Sequence, residues 1–203
     1  MPFNKYIPVR YPPLFRNALK RIKNSEKSVY ITFDDGPNDG TTQKILKLLS
    51  DYNAKATFFC VGKNALKYPE LIRGIKDNGH SIGNHSLSHK NSFKVSNKEW
   101  MEDVLSDSPV SNAKFFRPPY GKISFKQYKE LTKIYTIVFW DVLSMDFREN
   151  YTTEKIIKTV KRYSRNGSII VFHDSLKYCK KMLPALEESL KYFSEKGFRL
   201  KEL

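Results

Sequence analysis

Val29-Tyr30-Ile31-Thr32-Phe33-Asp34-Asp35-Gly36-Pro37 is the stretch whose reading decides the fold. A short run rich in β-branched and aromatic residues reads as a strand, and here it ends at two adjacent carboxylates. The segment that follows, Thr42–Tyr52, places Ile45, Leu46 and Leu49 at helical spacing. The same unit recurs along the chain. Further strands are expected at Thr57–Cys60, Ser81–Gly83, Lys114–Arg117, Thr136–Trp140, Ile169–Phe172 and Phe198–Lys201. Further helices are expected at Asn64–Asn78, Asn97–Leu105, Ser124–Thr132, Thr153–Ser164 and Met182–Lys196. Gly79, Gly167 and Gly197 follow three of these helices, where a left-handed cap costs glycine little. Thr152 and Thr153 offer N-cap oxygens to a fourth. Strands alternating with helices imply a parallel sheet, either open and doubly wound or closed as a barrel. No Gly-x-Gly-x-x-Gly follows the first strand, which argues against a dinucleotide fold.

The 203 residues suit one domain, and a hydrophobic content of 40% is enough to form a core and to exclude wholesale disorder. No stretch approaches the roughly 20 apolar residues of a membrane span. Lys and Arg outnumber Asp and Glu by 36 to 21, a formal charge of +15. Such an excess attracts polyanions, but the lysines are spread over the whole chain, as on a solvated surface. Cys60 and Cys179 show neither Cys-x-x-Cys spacing nor clustering, so no thiolate zinc site or disulfide framework is expected. Met1–Lys27 lacks the apolar core and small-residue cleavage site of an export signal, which makes a cytoplasmic location the default expectation. Residues 1–26 read as an N-terminal arm packed on the main domain, residues 27–203. Peripheral membrane contact through the segment Tyr6–Ile22, with Tyr11, Leu14, Phe15, Leu19 and Ile22 as its apolar side, is the weaker alternative for that arm.

The unusual residues gather where the expected strands end. Asp34-Asp35 closes the first, His85-Ser86-Leu87-Ser88-His89 follows the third, and Arg117-Pro118-Pro119-Tyr120-Gly121 follows the fourth. Trp140, Asp141 and Asp146 follow the fifth, and His173-Asp174 the sixth. In parallel α/β folds these carboxyl ends share one face, where active sites lie. His85 and His89 stand four apart, a spacing that lets two rings share a metal if the turn is helical. Two adjacent carboxylates repel unless a cation or hydrogen bonds compensate. One Asp and two His with an open position describe a catalytic zinc-type site, and the second Asp is then free to act as general base. Spacing does not tell which Asp plays which part. His80, at the opposite end of its strand, reads as structural.

These motifs together resemble the polysaccharide deacetylases, carbohydrate esterase family four, known also as the NodB homology domain. The resemblance runs from about Lys27 to Leu203. It rests on Thr32–Pro37, His85–His89, Arg117–Gly121 and Val171-Phe172-His173, which occur in the family's order. It implies a deformed (β/α) barrel of about seven parallel strands. It also implies hydrolysis of acetyl groups from N-acetylglucosamine-containing glycans by water activated at one divalent metal, zinc being the first choice. Carried over, Asp35, His85 and His89 hold the metal, Asp34 is the base, and Arg117 pairs with Asp34. The Tyr120 backbone N–H helps to stabilise the oxyanion, His173 is the acid, and Trp140 and Val171 line the acetate pocket. The fourth motif departs, because Leu143 stands where the family has its first Asp and Phe147 where it has Trp. Asp146, which occupies a family position, is the expected carboxylate partner of His173, with Asp141 as the alternative. An inactive glycan-binding barrel is disfavoured by the four complete motifs. A nucleic-acid binder is not expected, since no RNA-binding signature or Gly-rich phosphate loop accompanies the charge.

Overall fold

The structure, a computed structural model, describes residues 12–23 and 26–203. Among the described residues there are eight strands: β1 (Ser28–Asp34), β2 (Ala56–Cys60), β3 (Ser81–Asn84), β4 (Phe115–Phe116), β5 (Thr136–Ile137), β6 (Val142–Leu143), β7 (Ile169–His173) and β8 (Arg199–Leu200). The α-helices described are α1 (Thr42–Asp51), α2 (Gly62–Lys67), α3 (Pro69–Asp77), α4 (Asn97–Leu105), α5 (Phe125–Leu131), α6 (Thr153–Tyr163) and α7 (Cys179–Glu195). The sheet runs β5-β4-β3-β2-β1-β7-β6 with parallel neighbours, and β8 pairs with the start of β1. It curls into a deformed (β/α) barrel with the helices outside.

β1 is buried along its whole length, as a central strand covered on both faces must be. Its alternate side chains go separate ways. Val29, Ile31 and Phe33 join the outer core with Ile45, Leu49, Val160 and Leu186 from the helices. Tyr30 points inward and packs with Phe59, Phe115, Val138 and Ile169 to fill the barrel. A further core beneath α4 and α5 holds Trp100, Phe116, Leu131 and Phe139. Each such side chain contributes roughly 1.5–3 kcal/mol by burial, where the ring is fully covered.

The structure departs from the sequence reading in places that have local causes. The expected helix Asn64–Asn78 is two helices, broken at Tyr68 (φ −127°, ψ 61°). The residue before a proline is pushed out of the helical region, and Pro69 then opens the next helix. The expected strand Thr136–Trp140 is shorter, since β5 ends at Ile137 and β6 begins only at Val142. β5 pairs with β4, whereas the chain then bends and β6 pairs with β7. The carbonyls of Val138 and Phe139 in the bend accept from the Arg117 guanidinium at 3.4 and 3.1 Å. α7 begins at Cys179 rather than Met182. Gly167 (φ 79°) sits in the turn entering β7, beyond the Ser164 cap of α6.

Residues 12–23 lie across the barrel's open seam. Leu19 N–H donates to Ile137 O and Leu19 O accepts from Phe139 N–H, both at 2.8 Å. Ile22 N–H donates to Gly167 O at 2.9 Å, and Phe15 packs edge-on against Tyr128 and Phe139. Of the apolar residues offered to a membrane, Phe15, Leu19 and Ile22 are therefore spent on the barrel, and Leu14 is exposed. Residues 6–11 of that segment lie outside the described residues. Among the described residues no helix is long and apolar enough to cross a membrane.

Candidate metal centre and active site

Strand register assembles the site. Asp34 stands opposite His173 across β1 and β7, and Asn84 stands opposite Phe116 across β3 and β4. The residues just beyond those ends, Asp35, His85 and Arg117, thus emerge on one rim. Backbone strain marks the same place. Asp35 (φ 76°), Ser86 (φ 64°), His89 (φ 58°), Tyr120 (φ 61°) and Met145 (φ 66°) all adopt the left-handed region. That region is costly for residues with a Cβ and persists only where the surroundings enforce it.

Asp35, His85 and His89 each present a donor atom, and the three lie within 4.8 Å of one another. Asp35 Oδ1 is 3.7 Å from His85 Nε2 and 3.1 Å from His89 Nε2. His85 Nδ1 faces the Arg117 carbonyl at 2.7 Å. A carbonyl only accepts, so Nδ1 carries the hydrogen and Nε2 keeps its lone pair toward Asp35. Burial pushes the His85 pKa down to about 4, against the pull of Asp34 and Asp35, so the ring is neutral as a ligand must be. Burial opposes ionisation of Asp35, but the hydrogen bond from His89 and the fields of His173, His85 and His89 prevail and hold its carboxyl below the usual range. The Ser86 hydroxyl accepts the His89 N–H at 2.9 Å and fixes the turn between the two rings. One carboxylate oxygen and two imidazole nitrogens in this convergence fit a zinc-type ion, with positions left over for water.

Asp34 lies under this triad. Its Oδ1 takes a 2.6 Å bond from the fully buried Arg117 guanidinium, which also holds Thr32 Oγ1 at 2.8 Å and lies 4.0 Å from the centroid of the Phe59 ring. His173 faces the triad from β7. Its Nδ1 meets Asp146 Oδ1 at 2.7 Å, and its backbone N–H donates to Asp146 Oδ2 at 2.7 Å. Burial disfavours the imidazolium, yet Asp146 outweighs it, with help from Asp35 and Asp34, and lifts the His173 pKa to about 9. Asp141 points elsewhere. It receives Arg165 at 2.8 and 3.1 Å and the Ser168 hydroxyl at 2.7 Å.

The cavity, of about 500 Å³, is lined by Asp34, Asp35, His85, His89 and His173, with Trp140, Leu143, Phe147, Tyr120 and Tyr178 as its apolar walls. Tyr120 lies tilted against His89, with ring centroids 4.6 Å apart, and Phe147 meets His173 edge-on at 5.0 Å. Val171 is wholly buried behind the wall with Leu143 and Met145, so Leu143 and Trp140 present the surface there. Tyr178 and Lys122 also line the cavity and were not singled out by the sequence. Tyr178 was hidden because the loop after His173 reaches as far as Cys179. His80 lies at the far end, with Nδ1 accepting Ala56 N–H at 3.3 Å.

A sequence profile described as polysaccharide deacetylase matches residues 21–135. A peptidoglycan-N-acetylglucosamine deacetylase of Bacillus cereus is 36% identical over 86% of this chain and 66% of its own length. The peptidoglycan-N-acetylmuramic acid deacetylase PdaC of Bacillus subtilis is 32% identical over 88% of this chain and 38% of its own. The crystal structure of the Bc1960 peptidoglycan N-acetylglucosamine deacetylase, bound to an N-oxidanyl-benzamide, superposes with a TM-score of 0.86 at 32% identity, covering 94% of each chain.

Proposed function

The chain belongs to the polysaccharide deacetylase family, and from that premise we propose that it hydrolyses the acetamido group of N-acetylated sugars in a peptidoglycan-type glycan. The observation that carries this reading is the order of groups across one cavity: Asp34 held by Arg117, the Asp35–His85–His89 donor set, and His173 held by Asp146. Asp35, His85 and His89 would hold a divalent metal, zinc by donor type, which when bound polarises a carbonyl and lowers the pKa of water to about 7.

The chain's own residues supply the proton transfers. Asp34 takes a proton from the attacking water, and Arg117 fixes the carboxylate's direction. The Tyr120 backbone N–H contributes a donor to the carbonyl oxygen as negative charge develops there, a contribution of roughly 3–4 kcal/mol for a well-placed group. An amine leaves poorly unless protonated. His173, kept cationic by Asp146, gives its proton to the sugar nitrogen as the C–N bond breaks, leaving acetate and the free amino sugar. Trp140, Leu143 and Phe147 form the wall against which the acetyl methyl fits.

The test is acetate release from a panel of N-acetylglucosamine and N-acetylmuramic acid oligosaccharides, with bound metal measured in the same preparation. Release is expected to cease when metal is stripped and to return on zinc addition. Full turnover in verified metal-free protein overturns the reading.

A further inference from the structure

One face of α4, formed by Glu99, Trp100, Asp103 and Val104, takes no part in the proposed chemistry, yet it grips the loop that carries both histidines. The positions are spaced three and four apart and share a side of the helix. Val104 O accepts from Asn84 Nδ2 at 3.2 Å, and Asp103 O accepts from Leu87 N–H at 3.0 Å. The Asp103 carboxylate takes the Ser88 hydroxyl through one oxygen and the Ser88 N–H at 3.2 Å through the other. Trp100 Nε1 donates to Lys90 O at 3.0 Å, and Lys90 Nζ reaches Glu99 at 2.8 Å. Asp103 O and Val104 O belong to the last turn of α4, where no further helical N–H is on hand to meet them. The helix is itself anchored, because Trp100 is fully buried against Phe116.

This grip answers a mechanical need. Ser86 and His89 both hold left-handed backbone, each at a cost on the order of 1–2 kcal/mol. Left to itself the segment would relax and the two rings, 5.0 Å apart at their centroids, would part. Asp103 is 6% exposed, and a carboxylate so buried is retained only where its oxygens are bonded. We infer that Asp103 is the positioning residue for the His85–His89 pair: through Ser88 it holds the ligand loop in its binding geometry without touching a metal or substrate. The inference rests on the metal-site reading above.

Zinc affinity, read by competition with a chromophoric chelator, tests it, together with the visible bands of the cobalt(II)-loaded protein. Asp103→Asn, whose amide nitrogen cannot accept, and Ser88→Ala are each expected to weaken zinc binding about 10–100-fold and to alter the cobalt bands. The double variant is expected to lose little more than either single one, since both break the same link. Ser88→Thr keeps the hydroxyl and is expected to bind as the wild type does. If Asp103→Asn does not fold, Ser88→Ala against Ser88→Thr decides. Wild-type affinity in folded Asp103→Asn and Ser88→Ala, or losses that multiply fully in the double variant, overturn the inference alone. Absence of zinc binding in the wild-type protein overturns the metal reading and the inference with it.

Discussion

Burial by itself would hold the His173 imidazole neutral; Asp146 outweighs it, with smaller help from Asp35 and Asp34, and the pKa rises to about 9. A bound metal would draw on the charge of Asp35, leaving Asp146 as the main support. A raised pKa keeps the acid form below about pH 9, and the basic limb of the pH–rate profile marks its loss. Asp146→Asn removes the main opposition to burial, so the limb is expected to move to lower pH by at least about one unit. Asp141→Asn should leave the limb in place, because Asp141 is bonded to Arg165 and Ser168. The same sign governs stability: what the His173–Asp146 pair contributes is present in full below the ordinary histidine pKa and fades as pH rises toward 9. Asp34→Asn and His85→Ala are expected to fail differently. Asp34→Asn should retain metal while the rate falls about 10²–10⁴-fold, whereas His85→Ala should lose the metal. Metal content after desalting, set beside acetate release, distinguishes them. If Asp34→Asn strips the metal and Asp35→Asn keeps it, the roles of the two carboxylates are reversed.

At the scale of elements, the loop from β1 to α1 depends on one close approach. A Cβ on Gly36 would lie 2.3 Å from Asp174 Oδ2, the oxygen that accepts the Thr42 hydroxyl at 2.5 Å. Gly36→Ala must therefore push the loop off the end of β7, at a cost of about 1–3 kcal/mol. A lower melting temperature together with weaker zinc binding is expected, since Asp35 precedes the glycine; unchanged values of both refute this account. What was legible in the sequence follows from range. β1 was readable because its apolar run and its carboxylates are contiguous, and the His85–His89 pair because both rings lie within five residues, although no helical turn joins them: Ser86 and His89 are left-handed and the segment is a loop. The shortening of the expected strand Thr136–Trp140 to β5 was not readable, because the carbonyls of Val138 and Phe139 go to the Arg117 guanidinium, a partner that only the pairing of β4 with β5 brings near. The break at Tyr68 is written in Pro69, but the apolar period runs on through it and reads as one helix. Val171 was assigned to the pocket by motif alone, and the packing of Leu143 in front of it is a matter of tertiary arrangement.

At the scale of the whole molecule, the barrel is not closed by its own strands. β5 and β6 are the two ends of the sheet, and residues 12–23 bridge the region between β5 and the entry to β7. Leu19 continues the ladder of β5, and Ile22 lies so near Gly167 that a Cβ there would fall 1.7 Å from Ile22 O. The seam is on the Arg117 side of the site: the guanidinium holds Val138 and Phe139 by their carbonyls, and Leu19 holds Phe139 by its N–H. The metal donors stand on the loops after β1 and β3, across the barrel. Loosening the seam should therefore disturb the Arg117 guanidinium, and through it Asp34, before it disturbs metal binding, because the Arg117 carbonyl that faces His85 belongs to backbone anchored on β3 by Arg117 N–H donating to Asn84 O at 3.0 Å. Leu19→Pro deletes the donor to the carbonyl of buried Ile137, at a cost of about 1–3 kcal/mol. Gly167→Ala adds a Cβ at φ 79° and displaces Ile22. Each is expected to lower the melting temperature and the rate of acetate release while zinc content stays at the wild-type level. Because either change frees the same segment, the second should cost less in the presence of the first. Fully additive losses of stability, or loss of zinc in parallel with loss of rate, would show that residues 12–23 do not act on the site through the seam.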